Sequence, residues 1–213
     1  MKFLPLLLLA MVCIVPKTYA DDDRAGYVTV DVEGLNSFEN IISNAPFDVE
    51  FTQSNVQSVK VIAAPNEAEN VKLSVIGKTL FVAVKENTTV SNNAKVVITA
   101  PDLLCAITGA SGDIDIKNLC TTKFTATVSS TGDIELTGSC DDAEYTVSGG
   151  GDIDADDFVV KDILHASVTG SGHIDCRVLD TLHASVTGSG SLEYHGHPRT
   201  INRSGRKAGI RHD

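Results

Sequence analysis

Nine residues, LHASVTGSG, occur twice in this chain of 213 residues, at 164–172 and again at 182–190. Looser copies precede them at 124–132 and 144–151, and a degenerate copy lies at 105–112. Repeats of about twenty residues, in a chain that alternates apolar and polar side chains, are typical of stacked coils. The sequence therefore predicts an all-β fold, a β-solenoid, and the repeat by itself contains no catalytic site.

Each predicted coil ends at a glycine, and the steps between successive glycines are 18 to 21 residues. In the repeat, Leu164 and Ala166 would share one face of a strand and His165 and Ser167 the other, because side chains alternate along a strand. A glycine suits the sharp corner because the reversal needs a positive φ, which a residue without Cβ adopts cheaply. The corner glycines are Gly112, Gly132, Gly151, Gly172 and Gly190.

The chain divides into parts of different regularity. Residues 21–100 alternate apolar and polar side chains between irregular turns, whereas residues 101–195 carry the regular repeats. We interpret residues 21–200 as a single solenoid domain, because one coil cannot bury its inward residues alone; a small separate β domain before Pro101 is the alternative. The basic segment 201–213 is interpreted first as a C-terminal cap or tail and second as a docking patch.

Residues 1–20 have the pattern of a secretory signal peptide. A lysine precedes an apolar run that is too short to span a membrane, and the small residue Ala20 stands at the expected cleavage point. The mature protein is thus expected to begin near Asp21 and to be exported to the periplasm, the outer surface or the medium. Cys13 raises the alternative of a lipid-anchored protein, which the preceding Val12 disfavours.

The chain has 28 acidic against 17 basic side chains, a formal charge of −11. Removal of residues 1–20 takes away two lysines and no acid, which changes −11 to −13. Such a surface repels nucleic acid and anionic lipid, and it favours solubility, cations or basic partners. No second apolar stretch approaches membrane-spanning length, so we expect no transmembrane segment.

Two columns of acidic residues are predicted on the outside of the stack. Strands of adjacent coils lie about 4.8 Å apart, a distance at which two unit charges repel by roughly 1 kcal/mol in water. Calcium along the corners would relieve this repulsion, and GGGDIDADD at 149–157 has a faint likeness to calcium-binding repeats. Solvated, salt-screened acids are the favoured alternative, because the calcium spacing is not kept from coil to coil. The first column is Asp113, Asp133 and Asp152; the second is Asp115, Glu135, Asp154, Asp175 and Glu193.

Histidines form a further predicted column, since His165 and His183 occupy matching positions in adjacent coils and His173 follows the corner between them. Two stacked imidazoles could hold zinc or respond to mild acid. A zinc site usually needs three or four ligands, so surface histidines are the favoured interpretation. For His195 and His197, too, the sequence pattern favours no particular role.

Four cysteines follow the predicted signal peptide. Cys120 and Cys140 each lie six residues after the corner isoleucine of their coils, so they should stack on adjacent coils and could form a disulfide in an oxidising compartment. Cys105 and Cys176 lie some three coils apart, too far to pair. The alternation of inward and outward side chains along a strand predicts that both cysteines point inward as small apolar groups.

The repeats offer little for catalysis. Arg177 and Lys161 do not stand beside a carboxylate cluster that recurs, as a lyase site would require. Ser171 and Ser189 lie in Gly-Ser-Gly corners, which differ from the strand-turn-helix elbow of a hydrolase. We therefore expect a protein that is not an enzyme and needs no cofactor, with calcium as the one ligand ion that the acidic columns suggest.

Several segments resemble a known bacterial family, the auto-transporter adhesin head domain called GIN. They are SFENIISNAPFDVEFTQ around Phe38, KTLFVAV, AKVVITAPDLLCAITGASGDI and the glycine-rich repeats through GSGSLEYHGHPRTI. Pro101 and Leu104 are similar to the family's step into the repeats, and Gly196 with Pro198 to its closing Gly-x-Pro. The looser corner SGRKAGI near the end departs from the family's pattern.

The resemblance implies a right-handed parallel β-helix related in shape to pectin lyase folds, without their catalytic residues. It also implies a secreted or surface-exposed protein with a role in adhesion. Two classes of function remain open: a binding module that presents repeating polar faces to a glycan or to an envelope or host protein, and an envelope scaffold that binds no small ligand. A calcium-binding β-roll is a further alternative, and a homo-oligomer is compatible with each.

Overall fold

The computed structural model describes residues 26–213, so the predicted signal peptide, Cys13 and the expected start near Asp21 lie outside the described residues. The helices among the described residues are two 3₁₀ turns, η1 (Ala68–Asn70) and η2 (Lys207–Gly209), and no helix there is long and apolar enough to cross a membrane. The strands of the first part are β1 (Val28–Asp31), β2 (Asn40–Asn44), β3 (Asp48–Gln53), β4 (Ser58–Ala63), β5 (Val71–Ile76), β6 (Thr79–Val84) and β7 (Lys95–Ala100). Those of the second part are β8 (Cys105–Thr108), β9 (Ile114–Cys120), β10 (Lys123–Val128), β11 (Ile134–Val147), β12 (Ile153–Val168), β13 (His173–Val178), β14 (Thr181–Val186), β15 (Ser191–His195), β16 (Thr200–Gly205) and β17 (Ile210–His212).

Strands of successive coils stack in parallel as two walls. Wall A consists of β7, β3, β9, the first part of β11, the first part of β12, β13, β15 and β17, in that spatial order. Wall B consists of β6, β2, β8, β10, the second part of β11, the second part of β12, β14 and β16. The long strands β11 and β12 pass from one wall to the other through register shifts.

Inward side chains form files that run along the stack. Ile134 pairs in register with Ile114 on one side and Ile153 on the other, and Ile153 pairs with Ile174. All four are fully buried. Burial of such a side chain contributes about 1.5–3 kcal/mol, and here it depends on the coils on either side. The predicted β-solenoid, in which residues about twenty apart become neighbours, is confirmed.

The first part of the chain joins the same walls and then closes the end of the stack. β2 and β3 pair in parallel with β8 and β9, and one buried apolar cluster runs through both parts. β1 and β4 lie antiparallel to each other, β4 lies antiparallel to β7, and β5 lies antiparallel to β6. These antiparallel strands were not distinguished by the sequence pattern.

The corner glycines are required for a reason other than the predicted positive φ, and that prediction was wrong. None of the five lies in the left-handed region. A Cβ at Gly172 would stand 1.9 Å from the carbonyl oxygen of Gly151, and one at Gly132 would stand 2.2 Å from that of Gly112. Glycine is needed because the backbone of one corner lies directly on the backbone of the next, where a side chain has no room.

The basic C-terminal segment forms a final coil of the solenoid, because β16 pairs with β14 and β17 with β15. The Arg203 guanidinium lies 5.4 Å from the centre of the Tyr194 ring and donates to its hydroxyl. The Arg206 guanidinium donates to the carbonyl oxygens of Gly188 and Gly190. Arginines thus cover the end of the core and of the glycine corners.

Candidate binding face of the solenoid

The first acidic column is tied together by the main chain. The N–H of Asp133 donates to the carboxylate of Asp113 at 2.8 Å, and the N–H of Asp152 donates to that of Asp133 at 2.7 Å. Asp48 begins the column by accepting from the N–H of Asp113 at 3.3 Å, and His173 ends it by donating to Asp152 at 2.6 Å. Asp48 and His173 were not predicted to belong to this column. Asp48 stands directly before the inward Val49, just as Asp113 stands directly before the inward Ile114.

The carboxyl group of Asp113 shows the balance of forces in this column. Burial raises its pKa above the ordinary value, and the main-chain hydrogen bond from Asp133 opposes that change. The negative charges of Asp133 and Asp48 raise the pKa further. Each acid of the column therefore gains a hydrogen-bond donor from the next coil but keeps like-charged neighbours.

The second acidic column has the predicted register and has oppositely charged groups along it. Its five members pair in order from one coil to the next, Glu50 precedes them, and Arg211 follows Glu193. Lys117 lies 2.6 Å from the Asp115 carboxylate, and His195 Nε2 lies 2.9 Å from that of Asp175. Burial raises the pKa of Asp175, an effect that His195 opposes.

The proposed calcium ligands line one shallow depression between the two columns. Across residues 26–213, no group of three or more histidine, cysteine or acidic side chains is arranged to hold one metal ion. In the first column the carboxylates are already engaged by main-chain N–H groups, which favours the screened-acid interpretation. The six candidates that line the depression are Asp113, Asp133, Asp152, Asp115, Glu135 and Asp154.

On the outside of wall B, the two matching histidines are in contact. The rings of His165 and His183 lie parallel within 5°, with their centres 4.5 Å apart. Asn202 continues the file, and its side-chain nitrogen lies 3.3 Å from Nδ1 of His183. Glu144 precedes His165 in register. The strand parity inferred from the repeat therefore places the imidazoles correctly.

A file of hydroxyl groups runs beside the imidazoles, two residues further along each strand. The hydroxyl and imidazole files together line an open groove on wall B. The hydroxyl file consists of Thr127, Thr146, Ser167, Ser185 and Ser204.

The same file changes character towards the N-terminal end of the stack. Ile107 pairs with Thr127, Ile42 with Ile107, and Phe81 with Ile42. These three apolar side chains are half-buried on the outer surface. One outward face is thus apolar at one end and rich in hydroxyls at the other, a feature that only the register reveals because the contributing strands are far apart in sequence.

The predicted stacking of Cys120 on Cys140 is wrong. Cys120 pairs in register with Ser139, because β9 carries one residue more than β11 between the paired positions. The extra residue lies at a bulge that includes Asn118, whose φ is 56°. Cys120 is exposed, Cys140 is buried, and both are free thiols in the structure. Burial, followed by the charges of Asp141 and Asp142, raises the pKa of Cys140 to about 12.

The other two cysteines differ from each other. Cys176 points inward and is buried, as predicted. Cys105 does not point inward, because it pairs with the outward Thr125 in the file that leads to the histidines.

The remaining histidines lie near the end of wall A. Nδ1 of His173 lies 2.9 Å from the Ser191 hydroxyl, but Asp152 binds the main chain of His173 and not its ring. This arrangement lacks the carboxylate that orients the base in a catalytic triad. His195 lies between Asp175 and Asp213, and His197 packs against His212.

Comparisons with known proteins agree with this architecture. The family model described as "Putative auto-transporter adhesin, head GIN domain" matches residues 37–198. A putative adhesin from Bacteroides fragilis is 23% identical with a TM-score of 0.71, over 89% of this chain and 98% of that one. A putative lipid binding protein from Parabacteroides distasonis is 20% identical with a TM-score of 0.49, over 89% and 97%.

No functionally curated protein matches the sequence. The family match covers 162 residues, counted from 37 to 198, which is most of the 213-residue chain. It includes both walls except β16 and β17, together with all five corner glycines, and the family is described as adhesin-like. The chain belongs to the auto-transporter adhesin head GIN domain family.

Proposed function

We propose that this protein is a non-enzymatic, exported adhesion module whose wall B binds an extended glycan chain. The observation that carries the proposal is the groove in which a hydroxyl file and an imidazole file run side by side in register. The adhesin-like family supports binding as the general role. The predicted signal peptide supports a location in the envelope or outside the cell.

The spacing of the groups suits a polymer. Parallel strands repeat about every 4.8 Å, so Ser167, Ser185 and Ser204 present one hydroxyl per coil along the groove. A β-linked sugar chain also repeats once per ring over a similar length. Each serine hydroxyl donates one hydrogen bond and accepts others, as sugar hydroxyls do, so consecutive rings could make the same contact on consecutive coils.

The apolar end of the face adds a second kind of contact. Phe81, Ile42 and Ile107 form a continuous outward file that leads into the hydroxyls. A sugar ring has one face of C–H groups, which packs on apolar and aromatic side chains. Ligand sites commonly combine such an apolar surface with a few well-placed polar groups.

A glycan array and a pull-down from envelope extract test the proposal. The double variant Ser167→Arg, Ser185→Arg places two bulky cations in the groove and should weaken glycan binding at least tenfold. The matched control, Ser171→Arg with Ser189→Arg, carries the same change on exposed corner serines of the same coils and should bind like the wild type.

Either of two results would contradict the proposal. Equal loss in both double variants would show that wall B is not the binding face. Retention of no glycan and no envelope component by the wild type would favour the alternative role of a structural scaffold.

A further inference from the structure

We propose that His165 and His183 form a two-histidine site for a borderline divalent cation, with Zn²⁺ as the probe. The site goes beyond the proposed glycan binding and does not depend on it. Water would complete the coordination, since the protein supplies two ligands.

The two imidazoles lie near enough to each other to share one ion after a small movement of the rings. In a tetrahedral site with Zn–N distances of about 2.0–2.1 Å, two ligand nitrogens lie about 3.4 Å apart. The ring centres of His165 and His183 are 4.5 Å apart and the rings are parallel within 5°, so both rings must tilt before a nitrogen of each can reach the same ion. Rotation about the Cβ–Cγ bonds supplies this movement and makes the lone pairs converge, because that torsion is broad in histidine. His165 is exposed and His183 half-buried, so neither ring is locked in the core.

Asn202 provides an orienting partner for one ligand. Its amide group lies 3.3 Å from Nδ1 of His183, and a flip of the amide exchanges its nitrogen for its oxygen. With the oxygen towards Nδ1, the amide accepts the Nδ1 proton and leaves Nε2 free to bind the metal. Metal-bound histidines usually donate their other N–H to such a partner.

The electrostatic surroundings favour a cation. Glu144 is exposed one coil from His165 on the same file, and the chain carries a formal charge of −11, which attracts cations to its surface. Arg203 also borders the groove, but its guanidinium is held over the Tyr194 ring. The cation site therefore has a carboxylate on one side and an orienting amide on the other.

Calorimetric titration of the purified protein with Zn²⁺, together with ¹⁵N NMR of the histidine rings, tests the site. The resonances of His165 and His183 should shift together, and His183→Gln should lower the affinity at least tenfold. Asn202→Asp should raise the affinity about tenfold, since orienting partners change metal affinity by about 10–100-fold. His197→Gln, which removes an exposed histidine outside the pair, is the control and should leave this affinity unchanged.

Circular dichroism establishes that each variant is folded, and His165→Gln gives a second, independent removal of one ligand. Unchanged affinity in both His165→Gln and His183→Gln would overturn the proposal. So would a wild-type titration in which only the other histidines shift. Neither result bears on glycan binding, which the serine variants test separately.

Discussion

The two parts of the solenoid use the same walls but are assembled differently. From β8 onward, coils follow one another in space in the order of the sequence. Before β8 the order is changed, because the coil of β2 and β3 lies between that of β6 and β7 and that of β8 and β9.

The ends of the stack show what this difference achieves. The N-terminal end is closed by antiparallel strands, whereas the C-terminal end is closed by Arg203 and Arg206. A repeat protein needs terminal units that differ from its interior ones. Sequence repetition is therefore needed only where a coil lies on a nearly identical coil, and irregular sequence marks where stacking must stop.

The largest effect is expected at a corner of the regular part. Gly151→Ala places a Cβ 2.2 Å from the carbonyl oxygen of Gly132, whereas Gly150→Ala meets nothing closer than 3.5 Å. Because backbone must move at Gly151, we expect a loss of about 3 kcal/mol of unfolding free energy there and under about 0.5 kcal/mol at Gly150. Urea unfolding measures both, and Gly172→Val should cost more than either. Equal costs at the two neighbouring glycines would contradict the close-stacking explanation.

Hydrogen exchange compares the two parts directly. β12 is paired along its length on wall A and wall B, while β5 pairs only with β6 among the described strands. Amides of β12 should therefore exchange at least 100-fold more slowly than those of β5, about 2.7 kcal/mol of local stability. The terminal strand β16 is the control and should also exchange quickly. Equal protection in β5 and β12 would mean that the whole stack opens as one unit.

A smaller effect is expected at a buried tyrosine. Tyr145 lies in an inward file between Ala126 and Ala166, and its hydroxyl is buried without a hydrogen-bond partner. Tyr145→Phe should raise the unfolding free energy by about 1 kcal/mol, because an unsatisfied buried polar group is removed. Tyr194→Phe should do the opposite, since that hydroxyl accepts from Arg203. A loss of stability in Tyr145→Phe would show that its hydroxyl has a partner, such as a buried water.

The sequence predicted the structure of the regular part better than that of the first part. In the regular part, alternation and the glycine step were enough to place Ile114 on Ile134 and His165 on His183. They failed at Cys120, where one extra residue at a bulge reverses the faces of the strand, because a period cannot reveal a local insertion. In the first part, parallel and antiparallel strands share the same alternation, so partner strands could not be chosen. The outward file from Phe81 to Ser204 needed the register of every coil.

The stacked acids should give an unusual pH dependence. Burial and the neighbouring Asp156 raise the pKa of Asp154 above its ordinary 3.8. Its ionised form is thus disfavoured in the folded state, so its contribution to stability is present below pH 3.8 and is lost as the pH rises through the higher folded pKa. Asp154→Asn should raise stability at pH 7 by only a few tenths of a kcal/mol, because Asp154 is only partly covered by the protein and solvent screens its charge. Unfolding between pH 4 and 7 measures this, with Glu69→Gln in the irregular part as the control. A destabilised Asp154→Asn at pH 7 would contradict it.

The smallest change in stability is expected on adding calcium. The acidic columns of the regular part are the reason that calcium binding was considered. Asp113 and Asp133 already accept main-chain N–H groups of the next coil, and binding calcium would require their oxygens to serve both partners. We expect millimolar calcium to change the melting temperature by less than about 2 °C, which corresponds to under about 1 kcal/mol for a domain of this size. Magnesium is the control for general screening of charge. A rise of several degrees with calcium alone, abolished by Asp133→Asn, would instead assign the columns to the metal.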